Sequence, residues 1–236
     1  MRSHRFSLPF LILFIGSLSA VHAFTQTQKQ TPASRPEEIE WTWEVRPSHV
    51  DPALPNVLLV GDSITRNYFP EVQRQLANVA NVYLFAASTS VGDPRLPHQL
   101  AEFAAMEDVP YDVVHFNNGM HGWTYSESEY KQAFPSFLTS LHAIAPNASF
   151  IWASTTPVKI DKTPGPTNAR VLARNGIALA YVNNAGIPLD DQHELMSHHL
   201  DRYEDDVHFN PAGAAIQGQQ AAQTIRTSLA KITTVK

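Results

Sequence analysis

The sequence predicts an α/β fold in which helices cover both faces of a parallel sheet. Short apolar runs at 56–60, 81–86, 112–116 and 149–154 alternate with longer segments of helical spacing. The runs are rich in Val, Phe and Ile and lack a strict apolar–polar alternation, which is typical of strands buried on both faces. Repeated strand–helix alternation favours parallel strands joined by crossover helices.

The other elements follow from the same patterns. A weaker fifth strand is predicted at 186–191, and helices are predicted at 68–78, 95–106, 126–144, 168–185 and 211–229. Gly186 is a plausible stop for the fourth helix, and Pro211 suits the first turn of the last one.

The N-terminal residues resemble a targeting segment. Arg2 and Arg5 precede an apolar stretch at 6–18, and Val21-His22-Ala23 offers a cleavage site. We expect a signal peptide over 1–23 and a periplasmic or secreted protein, the alternative being an uncleaved anchor. The sequence contains no cysteine, which excludes disulfides and a lipidated N-terminal cysteine.

Two regions follow the predicted signal peptide. Residues 24–40 are mostly polar and are predicted to be a flexible N-terminal linker, and 41–236 a single domain. Trp41 and Trp43 alternate with polar residues, which predicts a short extended arm that packs on the domain. We favour the interpretation that the two tryptophans cover an apolar edge of the domain over the alternative that they form a carbohydrate-binding platform.

The charge balance argues against anionic partners. The net charge is −5, and removal of Arg2 and Arg5 leaves 15 basic and 22 acidic residues, a net charge of −7. No basic run remains, so neither nucleic acid nor an anionic lipid surface is an expected partner, and no stable membrane insertion is expected after cleavage.

Polar residues follow the predicted strands at the edge where α/β sheets bind ligands. Ser63 comes after the first strand, Gly92 after the second, and Asn117 and Asn118 after the third. The last loop before the closing helix carries "YEDDVH", with Asp205, Asp206 and His208. These residues are therefore expected around one cleft.

Their types suit nucleophilic catalysis. A serine hydroxyl needs a base, and a histidine base needs a carboxylate to orient it. Asp205 lies three residues before His208, so one tight turn can join them, whereas Asp206 more naturally points away. Ser63 on its own is equally compatible with a helix cap. The joint pattern favours a nucleophile, with Asp62 capping or bracing the turn.

The residues "GDSI" (61–64) and "DDVH" (205–208), with a Gly and an Asn-bearing segment between them, resemble the SGNH hydrolases, or GDSL esterase/lipase family. The resemblance covers residues 56 to about 229. It implies a three-layer α/β/α sandwich of SGNH or flavodoxin-like type with a five-stranded parallel sheet. It also implies a catalytic triad of Ser63, Asp205 and His208. The backbone amides of Ser63 and Gly92, with an Asn side chain, would form the oxyanion hole.

The third block departs from the family pattern G-x-N-D, since the chain reads Asn117-Asn118-Gly119-Met120-His121. Alignment on the glycine places His121 where the family has Asn, and an ungapped alignment from the strand places Met120 there, so neither preserves the Asn. We expect Asn118 to turn its amide into the cleft, with Asn117 as the second choice and His121 as the third.

Other interpretations are less favoured. An α/β-hydrolase elbow would need a second glycine at Thr65. The histidines at 193, 198 and 199 fit no zinc pattern, so no metal and no cofactor are expected. His115 is interpreted as a hydrogen-bonded core residue. Trp123, Tyr125, Arg66 and the segment 167–170 could contact substrate or merely pack.

The expected function is an exported serine esterase that acts on small acyl esters, such as carbohydrate O-acetyl groups, as free molecules or on polysaccharide. A lipase, arylesterase or thioesterase of the same fold is the alternative within the class. A catalytically weak carbohydrate-binding module is the alternative outside it.

Overall fold

The computed structural model describes residues 33–233, which belong to the larger of the two compact units of the chain, Thr31–Lys236. The predicted signal peptide and residues 24–32 of the predicted linker lie outside the described residues. Within the described part, no helix combines the length and apolar character needed to cross a membrane.

A mixed sheet of six strands forms the centre of the fold, in the order β1-β3-β2-β4-β5-β6. The strands are β1 (Thr42–Val45), β2 (Asn56–Gly61), β3 (Asn81–Ala87), β4 (Val113–Phe116), β5 (Ser149–Ala153) and β6 (Leu189–Asp190). Strands β2 to β6 are parallel, and β1 pairs antiparallel with β3. The five predicted strands and the parallel order typical of flavodoxin-like folds are confirmed.

The sixth strand corrects the predicted strand count. Trp43 lies opposite Ala86 in the antiparallel pair, so the predicted extended arm adds an edge strand to the sheet. The alternation around Trp41 and Trp43 indicated extended backbone, but not its partner strand.

Helices cover both faces of the sheet. They are α1 (Ser63–Gln75), α2 (Arg95–Glu107), α3 (Glu127–Ile144), α4 (Asn168–Asn184), α5 (Gln192–Ser197) and α6 (Pro211–Thr233), with a 3-10 turn at Leu200–Arg202. One apolar cluster joins the sheet to α2, α3 and α4, and a second joins it to α1 and α6. The three-layer α/β/α sandwich is confirmed.

Helix α1 begins five residues earlier than predicted. Asp62 caps it by accepting a hydrogen bond from the N–H of Ile64 at 3.0 Å. The strand β2 therefore passes into the helix through a single capping residue, and Ser63 lies in the first turn of the helix, at the carboxyl end of the sheet.

Candidate active site

The three residues of the predicted triad, Ser63, Asp205 and His208, line one pocket of about 390 Å³ at the carboxyl end of the sheet. Its wall includes Ser63, Met120, His121, Trp123, Asp205 and His208. A groove of about 470 Å³ between α1 and α6 is larger, but the residues that line it include no serine or histidine. The chemistry of the smaller pocket therefore identifies it as the candidate active site.

Ser63 and His208 are in hydrogen-bond contact. The distance from Ser63 Oγ to His208 Nε2 is 2.7 Å, although the residues are 145 positions apart in the chain. The hydroxyl is thus placed to give its proton to the ring. Asp62, and not Ser63, is the side chain that caps α1.

Asp205 orients the other side of the His208 ring. Its Oδ2 lies 2.8 Å from His208 Nδ1, and its Oδ1 accepts the backbone N–H groups of Val207 at 2.8 Å and His208 at 2.7 Å. Burial acts to raise the pKa of Asp205, but these hydrogen bonds prevail and lower it to about 2. The carboxylate is therefore charged when the ring takes a proton.

The neighbouring carboxylate, Asp206, is turned to a different partner. Its Oδ2 forms an ion pair of 2.6 Å with Lys162 Nζ, and its backbone carbonyl accepts the N–H of Lys159 at 2.8 Å. The geometry therefore brings Asp205, and not Asp206, to the histidine, as the spacing predicts.

The two backbone donors of the predicted oxyanion hole are those of Ser63 and Gly92. Among the described residues, the N–H groups of Ser63 and Gly92 have no hydrogen-bond acceptor. A Cβ atom at position 92 would lie 2.7 Å from Cγ of Tyr125, so only glycine fits against this ring without a shift. Both N–H groups remain free to bind a developing oxyanion.

The orientations expected for the two asparagines are corrected by the structure. Asn118 Nδ2 donates to the Thr89 carbonyl at 2.9 Å, and its Oδ1 accepts the N–H of Val91 at 3.0 Å. Asn118 therefore holds the loop that carries Gly92, because buried backbone groups need partners.

Asn117 is also occupied. Its Nδ2 donates to the Ala153 carbonyl at 2.7 Å and to Thr155 Oγ1 at 3.0 Å, which uses both amide hydrogens. Neither asparagine side chain lines the pocket. Two other residues of this block, Met120 and His121, do line the pocket. His121 is the third choice from the sequence.

Arg174 is a supporting residue that the sequence did not reveal. It is almost fully buried, and its guanidinium donates to the carbonyls of Gly119, His121, Gly122 and Tyr125 at 2.7–3.2 Å. Burial lowers its pKa to about 10, so it remains a cation at neutral pH. The residue fixes the loop 119–125, which forms one wall of the pocket.

A second missed feature is the arm at 33–40, which falls within the predicted linker. Arg35 forms an ion pair of 2.5 Å with Glu129, and Ser34 Oγ donates to Asp93 Oδ2 at 2.7 Å. Glu37 accepts the N–H of Gly122 at 2.8 Å and lies 2.9 Å from His121 Nδ1. The sequence of this polar stretch has no periodicity from which these contacts could be predicted.

The aromatic residues near the site pack mainly on arginines. Arg174 lies 4.1 Å from the ring centroid of Trp123, and Arg170 lies 5.0 Å from it. Arg66 lies within 5.4 Å of the ring centroids of both Trp41 and Trp43. Of these side chains, only Trp123 lines the pocket.

The other histidines of residues 33–233 do not line the pocket. His115 is fully buried and lies 2.8 Å from Asp190, so it is a hydrogen-bonded core residue as expected. His198 pairs with Glu194 at the surface. Within residues 33–233, no group of three or more His, Cys, Asp or Glu side chains is arranged to hold a metal ion.

Comparisons with known proteins identify the family of the chain. Residues 59–216, more than half of the chain, match the model of the GDSL-like lipase/acylhydrolase family. No curated protein matches the sequence significantly.

Solved structures of low identity share the fold. The catalytic domain of peptidoglycan O-acetyltransferase A from Streptococcus pneumoniae is 19% identical, with a TM-score of 0.54 over 75% of this chain and 95% of that chain. An acetyl xylan esterase is 13% identical, with a TM-score of 0.59 over 72% and 99%. A lipase/acylhydrolase from Enterococcus faecalis is 17% identical, with a TM-score of 0.59 over 74% and 96%. The chain belongs to the GDSL-like lipase/acylhydrolase family and is, as the sequence predicted, a carboxylic ester hydrolase of the SGNH type.

Proposed function

We propose that this protein is an exported serine esterase that removes small acyl groups, above all acetyl groups, from carbohydrate esters. The observation that carries the proposal is the continuous contact from Ser63 Oγ through the His208 ring to the Asp205 carboxylate, with distances of 2.7 and 2.8 Å. This arrangement suits acyl transfer through a covalent serine intermediate.

Each group has a defined part in the proposed reaction. Ser63 Oγ attacks the acyl carbon while its proton passes to His208 Nε2, and Asp205 stabilises the resulting imidazolium. The oxyanion accepts hydrogen bonds from the N–H groups of Ser63 and Gly92. His208 then protonates the leaving alcohol, and water hydrolyses the acyl-enzyme by the reverse sequence of proton transfers.

The size and charge of the pocket support a small neutral ester. A volume of about 390 Å³ has room for an acetyl group and part of a sugar ring. Three carboxylates lie at the pocket, those of Glu37, Asp205 and Asp206, against Lys162 and the imidazoles of His121 and His208. Such an acidic wall disfavours an anionic substrate.

Two similar folds also support the acetyl group. The pneumococcal protein is a peptidoglycan O-acetyltransferase and another similar structure is an acetyl xylan esterase. Both names combine an acetyl group with a carbohydrate. Because both are less than 25% identical to this chain, their names serve only to choose the substrate class to be tested.

Turnover of p-nitrophenyl acetate by the purified protein tests the reaction. We expect activity in the wild type and its loss in Ser63→Ala. An inactive wild type, or equal turnover in Ser63→Ala, would favour the carbohydrate-binding module.

A substrate panel tests the proposed class. Esters from acetate to palmitate should show kcat/KM falling with chain length, and acetylated polysaccharide should release acetate. A maximum at long chains would instead support the lipase alternative.

Export is proposed from residues 1–23 alone. Expression of the full chain in a bacterial host should give a mature protein that starts at Phe24, outside the cytoplasm. N-terminal sequencing of each cell fraction measures this, and an intact N-terminus in the membrane fraction would favour the uncleaved anchor.

A further inference from the structure

The pocket has an imidazole where a side-chain amide was expected. Asn117 donates to the Ala153 carbonyl and the Thr155 hydroxyl, Asn118 donates to the Thr89 carbonyl, and neither asparagine lines the pocket. His121, from the same loop, lines the pocket with Ser63 and His208. The side chain of this block that could stabilise an oxyanion at Ser63 is therefore titratable, unlike an amide.

The His121 ring is bound on one side only. Its Nδ1 lies 2.9 Å from Glu37 Oε2, and the ring edge contacts Trp41 with centroids 5.9 Å apart. Its Nε2 is buried and has no partner among the described residues. A carboxylate acceptor at Nδ1 fixes a proton on that nitrogen, so a second proton on Nε2 makes the ring a cation.

Three carboxylates from two parts of the chain favour this charge. Glu37 and Glu40 lie on the arm, and Asp62 lies at the β2–α1 junction, where its Oδ2 is also buried without a partner. Arg174 meets the loop from α4, but through the carbonyl of His121. The pocket wall adds Lys162, Asp205, Asp206 and His208.

The net effect of these groups is to raise the pKa of His121, which favours the protonated ring. Burial acts to lower the pKa of His121, but the hydrogen bond that the ring donates to Glu37 and the charges of Asp62 and Glu40 prevail and raise it. The pKa of Glu37 is lowered in turn, against the effect of burial, by His121 and by the N–H of Gly122. Both shifts describe a carboxylate–imidazolium pair.

We propose that Glu37 holds His121 as an imidazolium in the pocket wall, and that its positive charge stabilises the oxyanion formed when Ser63 attacks the ester. As the Ser63 Oγ–carbon bond forms, the carbonyl π electrons move to the acyl oxygen and the serine proton moves to His208. His121 keeps both protons throughout and acts through its charge. The inference rests on the proposed esterase function.

The pH profile of kcat/KM tests the inference, because an amide does not titrate. We expect the wild-type rate to fall at alkaline pH as His121 loses its proton. Glu37→Gln should move this fall to lower pH by roughly 1–3 units. His121→Asn, which installs the amide of the family pattern, should remove the fall and lower the rate at neutral pH by roughly 10–10².

A matched control uses the other histidine–glutamate pair. His198 lies 3.0 Å from Glu194, is well exposed and does not line the pocket, so His198→Asn should leave the profile unchanged. A wild-type profile without an alkaline fall, or the same fall in His121→Asn, would overturn the inference.

Proton NMR of ¹⁵N-labelled histidines in Ser63→Ala reads the charge directly, with the signal assigned by its loss in His121→Asn. We expect the His121 resonance to titrate at a higher pH than a histidine in a model peptide. A His121 ring that is neutral at pH 7 would overturn the inference. This measurement needs no turnover, so failure of the esterase function and failure of the His121 role can be told apart.

Discussion

At the residue scale, the parts of the site with a fixed local spacing were predictable. The three-residue step from Asp205 to His208 allows one turn to bring carboxylate and ring within 2.8 Å, and the structure has that turn. The orientation of Asn118 was not predictable, because it depends on the loop carbonyl at Thr89 that needs a donor. Spacing determines which residues can meet, and competing buried backbone groups determine which side chains remain free.

The two adjacent aspartates make a direct comparison. Asp205→Asn should lower kcat by roughly 10³–10⁴, because the amide favours the wrong tautomer of His208. Asp206→Asn should lower it only a few-fold, since it removes a largely exposed ion pair with Lys162. Steady-state kinetics on p-nitrophenyl acetate gives both values. Equal losses in the two variants, or a larger loss in Asp206→Asn, would show that Asp205 is not the carboxylate of the triad.

The pKa of Asp205 also predicts how stability depends on pH. Its folded pKa of about 2 lies below the unfolded value of about 4, so its contribution to stability is present above pH 4 and is lost as pH falls towards 2. Urea unfolding from pH 5 to 2 should therefore show a steeper loss of stability in the wild type than in Asp205→Asn. Identical slopes would contradict the lowered pKa.

At the element scale, the loop 119–125 is held from behind by α4. The guanidinium of Arg174 satisfies four carbonyls of this loop and lies against Trp123 and Tyr130. A sequence pattern places Arg174 on a helix but does not show that it is buried. Such a contact depends on tertiary packing between segments about 50 residues apart, which periodicity does not record.

Replacement of Arg174 tests this support. Arg174→Met removes the donors from carbonyls that stay buried, so unfolding free energy should fall by roughly 2–5 kcal/mol, and kcat should fall with it. Arg74, whose ion pair with Glu71 is at the surface, is the control, and Arg74→Met should cost about 0–1 kcal/mol. Urea denaturation measures both. Equal effects would show that the loop does not depend on Arg174.

At the scale of the whole molecule, the alternation of apolar runs was sufficient to predict five parallel strands and three layers. The same pattern did not predict β1, because a short strand on a sheet edge lacks the apolar run of a central strand. The arm before β1 was also interpreted as linker, since its contacts are polar and distant in sequence. These contacts join the arm to the loop that carries Gly92, through Asp93, and to the loop 119–125, through Gly122.

The arm can be tested by truncation. A chain that begins at residue 33 should keep its activity, and one that begins at residue 41 should lose at least roughly 10-fold in kcat/KM, because it lacks the carboxylate of Glu37 beside His121. Circular dichroism should show that both variants are folded. Full activity in the shorter chain would mean that the arm has no part in the reaction.

The most direct test of the central claim is covalent labelling of the nucleophile. A small sulfonyl fluoride should inactivate the enzyme and add one sulfonyl group per chain, and peptide mass spectrometry should place it on Ser63. Ser63→Ala should take up no label and have no activity. Inactivation with the label on another residue, or turnover that survives in Ser63→Ala, would contradict the assignment of Ser63, His208 and Asp205 as the catalytic groups.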